Sequence, residues 1–280
     1  MKKYLFALAT VMCTFTVLHA QTCCMLKSNK HDFTSLTARQ DFQDAHLAPE
    51  PFLYTSENGQ SVTFTTPDGK TANAFAVKAA KKTKNVIIMV HEWWGLNDYI
   101  KKEAEKLQRE LVDVDVYAVD LYDGQVASDP QTAAKLMGGL SAERASNIVK
   151  GLINLVGKDV NIATIGWCMG GSWSFQAALL AGNQTKACVM YYGFPEKDVE
   201  KMKTLASDIL YIQGTKDAFI KNEDVDNFVK NLESVNKKIT VKQFDADHAF
   251  ANPSNPKFSK EFAENAHRAA LTYIRKALNL

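Results

Sequence analysis

Val160-Asn161-Ile162-Ala163-Thr164-Ile165-Gly166-Trp167-Cys168-Met169-Gly170-Gly171 joins a β-branched run to a helical one, and its reading decides the architecture. Residues 160–166 suit a buried strand, and 171–181 suit the helix that follows it. Between them lies a Gly-Xaa-Cys-Xaa-Gly-Gly turn, the nucleophile-elbow pattern with cysteine where serine is more familiar. Glycines flank such a turn because bulky side chains would collide there, and the residue at its tip takes a strained backbone conformation. A thiol at that tip is expected to be exposed, beside a helix N-terminus whose dipole favours the thiolate. Most free cysteines are instead small buried hydrophobes, so the turn needs partners elsewhere in the chain to carry chemistry.

Outward from the elbow, short apolar runs alternate with longer amphipathic ones, the rhythm of parallel strands joined by crossover helices. Residues 85–90, Asn-Val-Ile-Ile-Met-Val, form a continuous apolar run suited to a central strand, followed by a charged helix over 98–111. Further strands are expected at 114–119, 186–192, 209–213 and 239–244. Helices are expected at 130–140, 141–155, 196–205, 222–234 and 257–278. Ahead of this core, 52–55, 61–65 and 72–77 read as an antiparallel leader with turns at Asn58-Gly59 and Pro67-Asp68-Gly69. The fold class is α/β, a mostly parallel central sheet with an antiparallel leading edge and helices on both faces. Residues 21–49 form a polar extension with one helix at 35–45 and no core of its own, and 50–280 read as a single domain.

The chain has 280 residues, 46% of them hydrophobic and 23% charged, with 33 basic and 31 acidic groups. Such a composition supports a large core and excludes disordered, collagen-like and small disulfide-framework classes. The near balance of charge, without long runs of one sign, excludes the basic footprint of a nucleic-acid binder. Residues 1–20 stand apart: Lys2-Lys3, an apolar stretch over 4–18 and Ala20 read as a secretory signal cleaved after Ala20. The stretch is too short to span a bilayer, which takes about 18 or more apolar residues. Export is therefore expected, to periplasm or medium, without a stable membrane anchor. Met12 and Thr22 precede Cys13 and Cys23 where lipid attachment calls for a small residue. Cys23-Cys24 do not make a disulfide framework, and no pairing is read for Cys188. The six histidines, His19, His31, His46, His91, His248 and His267, look scattered and without ligand spacing, so no metal site or cofactor is read.

Elbow folds place an acid and then a histidine after the nucleophile, each on a loop following a strand. Asp217, in Gly214-Thr215-Lys216-Asp217, and His248, in Asp247-His248-Ala249-Phe250, stand at those places. The ordered set reads as nucleophile Cys168, general base His248 and orienting acid Asp217. Asp224, Asp226, Asp245 and Asp247 are rival acids. The amides of Met169 and Trp93 are the expected oxyanion donors. In His91-Glu92-Trp93-Trp94-Gly95-Leu96-Asn97, directly after the central strand, Glu92 is either a buried carboxylate able to take the thiol proton or an exposed loop residue. His91 reads as strand-end packing.

With these residues in place, the chain resembles the dienelactone hydrolase family from about residue 85 to the C-terminus. The resemblance rests on Glu92 in its loop, Asp120-Leu121-Tyr122, the cysteine elbow at 166–171, Tyr191-Tyr192-Gly193, Asp217, and His248-Ala249-Phe250-Ala251-Asn252. It implies an α/β-hydrolase fold, a Cys168-His248-Asp217 triad, proton exchange between Glu92 and the thiol, and hydrolysis of an ester or lactone through an acyl-enzyme without cofactor. The expected partner is a small-molecule ester or lactone, with Trp94, Tyr122, Tyr192 and Phe250 lining its pocket, and the expected state is a monomer or small homo-oligomer. Members of the family that cleave dienelactone grip its carboxylate with two arginines, one shortly after the Asp-Leu-Tyr motif and one four residues after the histidine. Here those positions carry Gly124 and Asn252, which removes bidentate anion recognition and points away from dienelactone itself. A second reading keeps the scaffold as a catalytically silent ligand-binding protein.

Overall fold

The computed structural model describes Met1, residues 36–253 and residues 255–280. Residues 2–20 of the expected secretory signal, with Cys13, and also Cys23 and Cys24, lie outside these residues. Eight strands make one sheet: β1 (Gly59–Thr65), β2 (Thr71–Val77), β3 (Asn85–Val90), β4 (Asp115–Val119), β5 (Asn161–Trp167), β6 (Thr185–Tyr191), β7 (Asp208–Gly214) and β8 (Ile239–Phe244). Their order is β1-β2-β4-β3-β5-β6-β7-β8. The first two pairings are antiparallel and every other is parallel, as the alternating pattern predicts. Burial follows position. Five of the six residues of central β3 are buried, whereas the edge strands β1 and β8 expose side chains along their length.

Helices enter where the sequence caps them. Asn97 accepts from the Ile100 amide ahead of α2 (Asp98–Leu111), and Asp129 precedes Pro130 at the start of α3 (Pro130–Gly139). Ser141 caps α4 (Ala142–Val156), and Ser259 caps α8 (Lys260–Leu278). Helix α5 (Met169–Ala181) starts two residues earlier than expected, directly after Cys168. Lys221 precedes α7 (Asn222–Ser234). Among the described residues no helix is long and apolar enough to cross a membrane.

Three expectations are corrected. Residues 52–55 form no strand: the Glu105 carboxylate on α2 collects the Tyr54 and Ser56 hydroxyls and the amides of Glu57 and Asn58, holding this segment against the helix instead of the sheet. The helix expected over 196–205 shrinks to α6 (Val199–Lys203), because Asp198 caps it late and the Glu196 carboxylate bonds the amides of Lys197 and Asp198. The polar extension has apolar anchors. Its helix is the short α1 (Gln40–Asp44), and Phe42 is fully buried against Trp93 and Phe219, at 5.3 and 4.9 Å between ring centroids.

Strand β5 and helix α5 pass so closely at the elbow that no side chain fits between them. A Cβ on Gly166 would lie 2.0 Å from the Gly170 carbonyl oxygen, and one on Gly170 would lie 2.4 Å from the carbonyl oxygens of Val90 and His91. Replacing Gly166 with alanine is expected to cost about 3 kcal/mol, because backbone has to move. Nothing lies within 4 Å of a Cβ on helical Gly139, so Gly139→Ala is expected to gain up to about 1 kcal/mol. Urea denaturation of the two variants checks both signs.

Candidate active site

Because six adjacent strands run in parallel, their carboxyl ends meet at one edge of the sheet, where open α/β folds bind ligands. Glu92 follows β3, Asp120 follows β4, Cys168 follows β5, Tyr192 follows β6, Asp217 follows β7 and His248 follows β8. Cys168 has φ 54° and ψ −120°, the strained elbow conformation, and its amide donates to the Tyr191 carbonyl at 3.0 Å.

The three residues read as a triad are in line. Cys168 Sγ lies 3.3 Å from His248 Nε2, and His248 Nδ1 lies 2.7 Å from Asp217 Oδ2. The other Asp217 oxygen accepts from the amides of Phe219 and Ile220, both at 2.8 Å, so the carboxylate is fixed before it meets the imidazole. Rival acids are engaged elsewhere or point outward: Asp245 pairs with Lys216, Asp247 with Lys257 and Asp224 with Lys197, while Asp226 is exposed.

The thiol is not exposed as expected. Cys168 is 1% accessible, and burial pushes its pKa up, with the Glu92 charge adding to that push and His248 opposing it. Desolvation thus outweighs the helix dipole, and the resting sulfur keeps its proton. Burial also opposes a charged His248, yet the Asp217 carboxylate, with Cys168 on the other side, overcomes it and raises the imidazole pKa.

Glu92 is buried and not an exposed loop residue. Burial lifts its pKa to about 7, although the His248 charge and Asn252 pull it down. Both Glu92 oxygens accept from Asn252 Nδ2, at 2.9 and 2.8 Å. The residue standing where a substrate-gripping arginine was sought therefore holds the glutamate. At the other such position, the Gly124 amide donates to Asp120. Behind Glu92, fully buried His91 does more than pack. Its Nε2 accepts from the Leu121 amide at 3.1 Å, which leaves Nδ1 to donate to the Glu92 carbonyl at 2.6 Å and tie the loops after β3 and β4 together.

The aromatic residues expected to line a pocket are all nearly inaccessible. Tyr192 packs on His248 and Phe250, Tyr122 donates to Met169 Sδ at 3.3 Å, Trp94 meets Trp93, and Phe250 also contacts Phe244 and Phe262. Trp93 Nε1 and Tyr192 Oη are buried without a hydrogen-bond partner among the described residues. The contribution that sequence reasoning missed is His46. It packs tilted against Trp93 at 4.7 Å and edge-on to His248 at 5.5 Å, and burial, followed by the His248 charge, lowers its pKa to about 3. Ring nitrogens of His46 and His248 and the Cys168 sulfur lie within 4.8 Å of one another, so these three of the scattered histidines and cysteines do converge. No motif marked His46; the only signal was a buried-type aromatic, Phe42, one helical turn before it in a polar stretch.

The sequence matches the dienelactone hydrolase family over residues 72–278. A carboxymethylenebutenolidase of Pseudomonas sp. (strain P51) is 31% identical over 119 residues, spanning 42% of this chain and 49% of that protein. Carboxymethylenebutenolidase 1 of Cupriavidus pinatubonensis is 23% identical over 227 residues, spanning 76% and 95%. A dienelactone hydrolase-like promiscuous phosphotriesterase from metagenomic libraries has the same fold, with TM-score 0.68 at 16% identity over 79% of this chain and 99% of that one. A match across three-quarters of the sequence, on a sheet that gathers an elbow cysteine, a histidine and an aspartate at one edge, makes this chain a member of the dienelactone hydrolase family of hydrolases.

Proposed function

We propose that this is an exported thiol hydrolase of uncharged carboxylic esters or lactones. The observation that carries the reading is the unbroken line from Cys168 through His248 to Asp217, buried at the carboxyl edge of the sheet. In this reading His248 Nε2 takes the thiol proton as Sγ attacks the carbonyl carbon, and the amides of Met169 and Trp93 receive the developing oxyanion. Collapse of the tetrahedral adduct breaks the carbon–oxygen bond, and the leaving alkoxide takes the proton from the imidazolium. Water, deprotonated by the same histidine, then attacks the thioester, releasing the acid and restoring the thiol. Asp217 holds the imidazole in the tautomer that both halves need.

Glu92 has a separate part. With a pKa near neutrality and a place close enough to bias the thiol, it exchanges the thiol proton when substrate displaces its bond to Asn252, and that proton passes on to His248 Nε2 as Sγ attacks. A thiol kept protonated until then is less open to oxidation, which suits the export that the N-terminal signal suggests. The lack of arginine at Gly124 and Asn252 supports an uncharged substrate, and the unpartnered Trp93 Nε1 and Tyr192 Oη offer it two buried donors.

The test is nitrophenol release from a short-chain nitrophenyl ester by the purified mature protein. Cys168→Ala is expected to lose turnover while retaining its circular dichroism; undiminished turnover would overturn the assignment, and absence of any acyl adduct on Cys168 by mass spectrometry would favour ligand binding instead. In parallel, the neutral ester is expected to be preferred over an unsaturated lactone carboxylate, read as kcat/KM. A third expectation follows from burial of Glu92. Between its ordinary pKa of 4.5 and the folded value of about 7, the folded chain holds a proton that the unfolded chain has released. Stability therefore falls as pH rises through that window, and above it the loss is complete and no longer changes with pH. Glu92→Gln is expected to flatten that fall, measured by denaturation at a series of pH values.

A further inference from the structure

His46 is 3% accessible and lies outside the proposed reaction, yet it faces the reacting pair. Its Nδ1 is 2.7 Å from the Phe42 carbonyl oxygen, which can only accept, so Nδ1 carries the proton and Nε2 carries the lone pair. That Nε2 is buried without a partner among the described residues, a state that costs free energy unless something occupies it. His248 is arranged in a similar way: Nδ1 lies 2.7 Å from the Asp217 carboxylate and Nε2 faces Cys168 Sγ at 3.3 Å. Two imidazoles, each tied through one nitrogen to an oxygen and offering the other, is the outer-shell arrangement found around metal-bound histidines. A thiol lies beside them, and one ligand atom from each of the three residues lies within 4.8 Å of the others. Zinc–nitrogen bonds of about 2.0–2.1 Å and a zinc–sulfur bond of about 2.3 Å need only a small inward shift from that spacing.

We propose that His46, Cys168 and His248 form a binding site for a thiolate- and imidazole-seeking transition cation such as Zn²⁺, with the fourth position open to water. On binding, the Sγ–H bond breaks, its proton and any held on His248 Nε2 leave to solvent, and the sulfur and the two imidazole lone pairs form bonds to the metal without change of oxidation state. The occupied site ties up the nucleophile and the base of the proposed hydrolase together, and pins the 40–46 segment over them. Binding does not depend on the hydrolase reading; only its effect on turnover does.

Cobalt(II) and zinc added to the purified, metal-stripped mature protein test the site. Cobalt is expected to give a thiolate-to-metal charge-transfer band at one equivalent, and zinc to displace it. Cys168→Ala should lose that band, and His46→Gln should weaken zinc affinity at least about tenfold, since loss of a ligand costs more than loss of an outer-shell partner. Zinc should also raise the melting temperature of the parent but not of either variant. Should nitrophenyl esterase activity be present, zinc should abolish it in the parent and chelator should restore it. No stoichiometric cobalt band in the parent, or zinc affinity equal in the parent and His46→Gln, would overturn the site; if His46→Gln does not fold, undiminished zinc binding by Cys168→Ala would do the same. Since the band is read without turnover, failure of the metal site and failure of the hydrolase reading are separable.

Discussion

The site hangs on the positive φ of Cys168. A non-glycine residue in that conformation is strained, and it persists only where its surroundings over-determine it. Here the chain leaves β5, turns within one residue and enters α5, while Gly166 and Gly170 let strand and helix backbones approach to distances no side chain permits. The same approach brings α5 against the carbonyls that end β3, so one tight passage fixes the elbow and the loop carrying Glu92 relative to each other. Helix α5, buried along most of its length, is the body that absorbs the strain.

Around that fixed point, the polar groups hold one another in pairs that would each be costly alone. Asp217 is satisfied by two amides and an imidazole, Glu92 by one asparagine amide, and His91 by an amide and a carbonyl from neighbouring loops. Burying charge or its potential is expensive unless partners are exact in number, and the raised pKa of Glu92 records where the partners fall short. A buried carboxyl with one neutral donor cannot stay ionised as readily as one in water.

Much of this was legible in the sequence. Strand order could not be read, but the parallel core, the antiparallel leader and the places of Cys168, Asp217 and His248 could, because apolar periodicity and turn residues are local signals. What was lost is long-range. Residues 52–55 have strand composition but were claimed by Glu105, a charge on another element. The thiol reads as exposed in any elbow, yet it is buried in a site where Phe42 and His46, distant in sequence, pack beside Trp93, Phe219 and His248. Asn252 reads as a missing arginine, and its bond to Glu92 needs coordinates to be seen.

Phe42 also bears on the order in which the molecule is assembled. It is synthesised long before Phe219 and His248, the rings it meets, and contacts between residues so far apart in the chain are slow to form because the intervening loop has to close first. The segment 36–46 must therefore wait, undocked, while the sheet is completed strand by strand up to β8. Until the last strand and its histidine are in place, the elbow thiol lacks its cover and its base together, so in a growing chain Cys168 is a bare cysteine while the 80 residues that separate it from His248 are added.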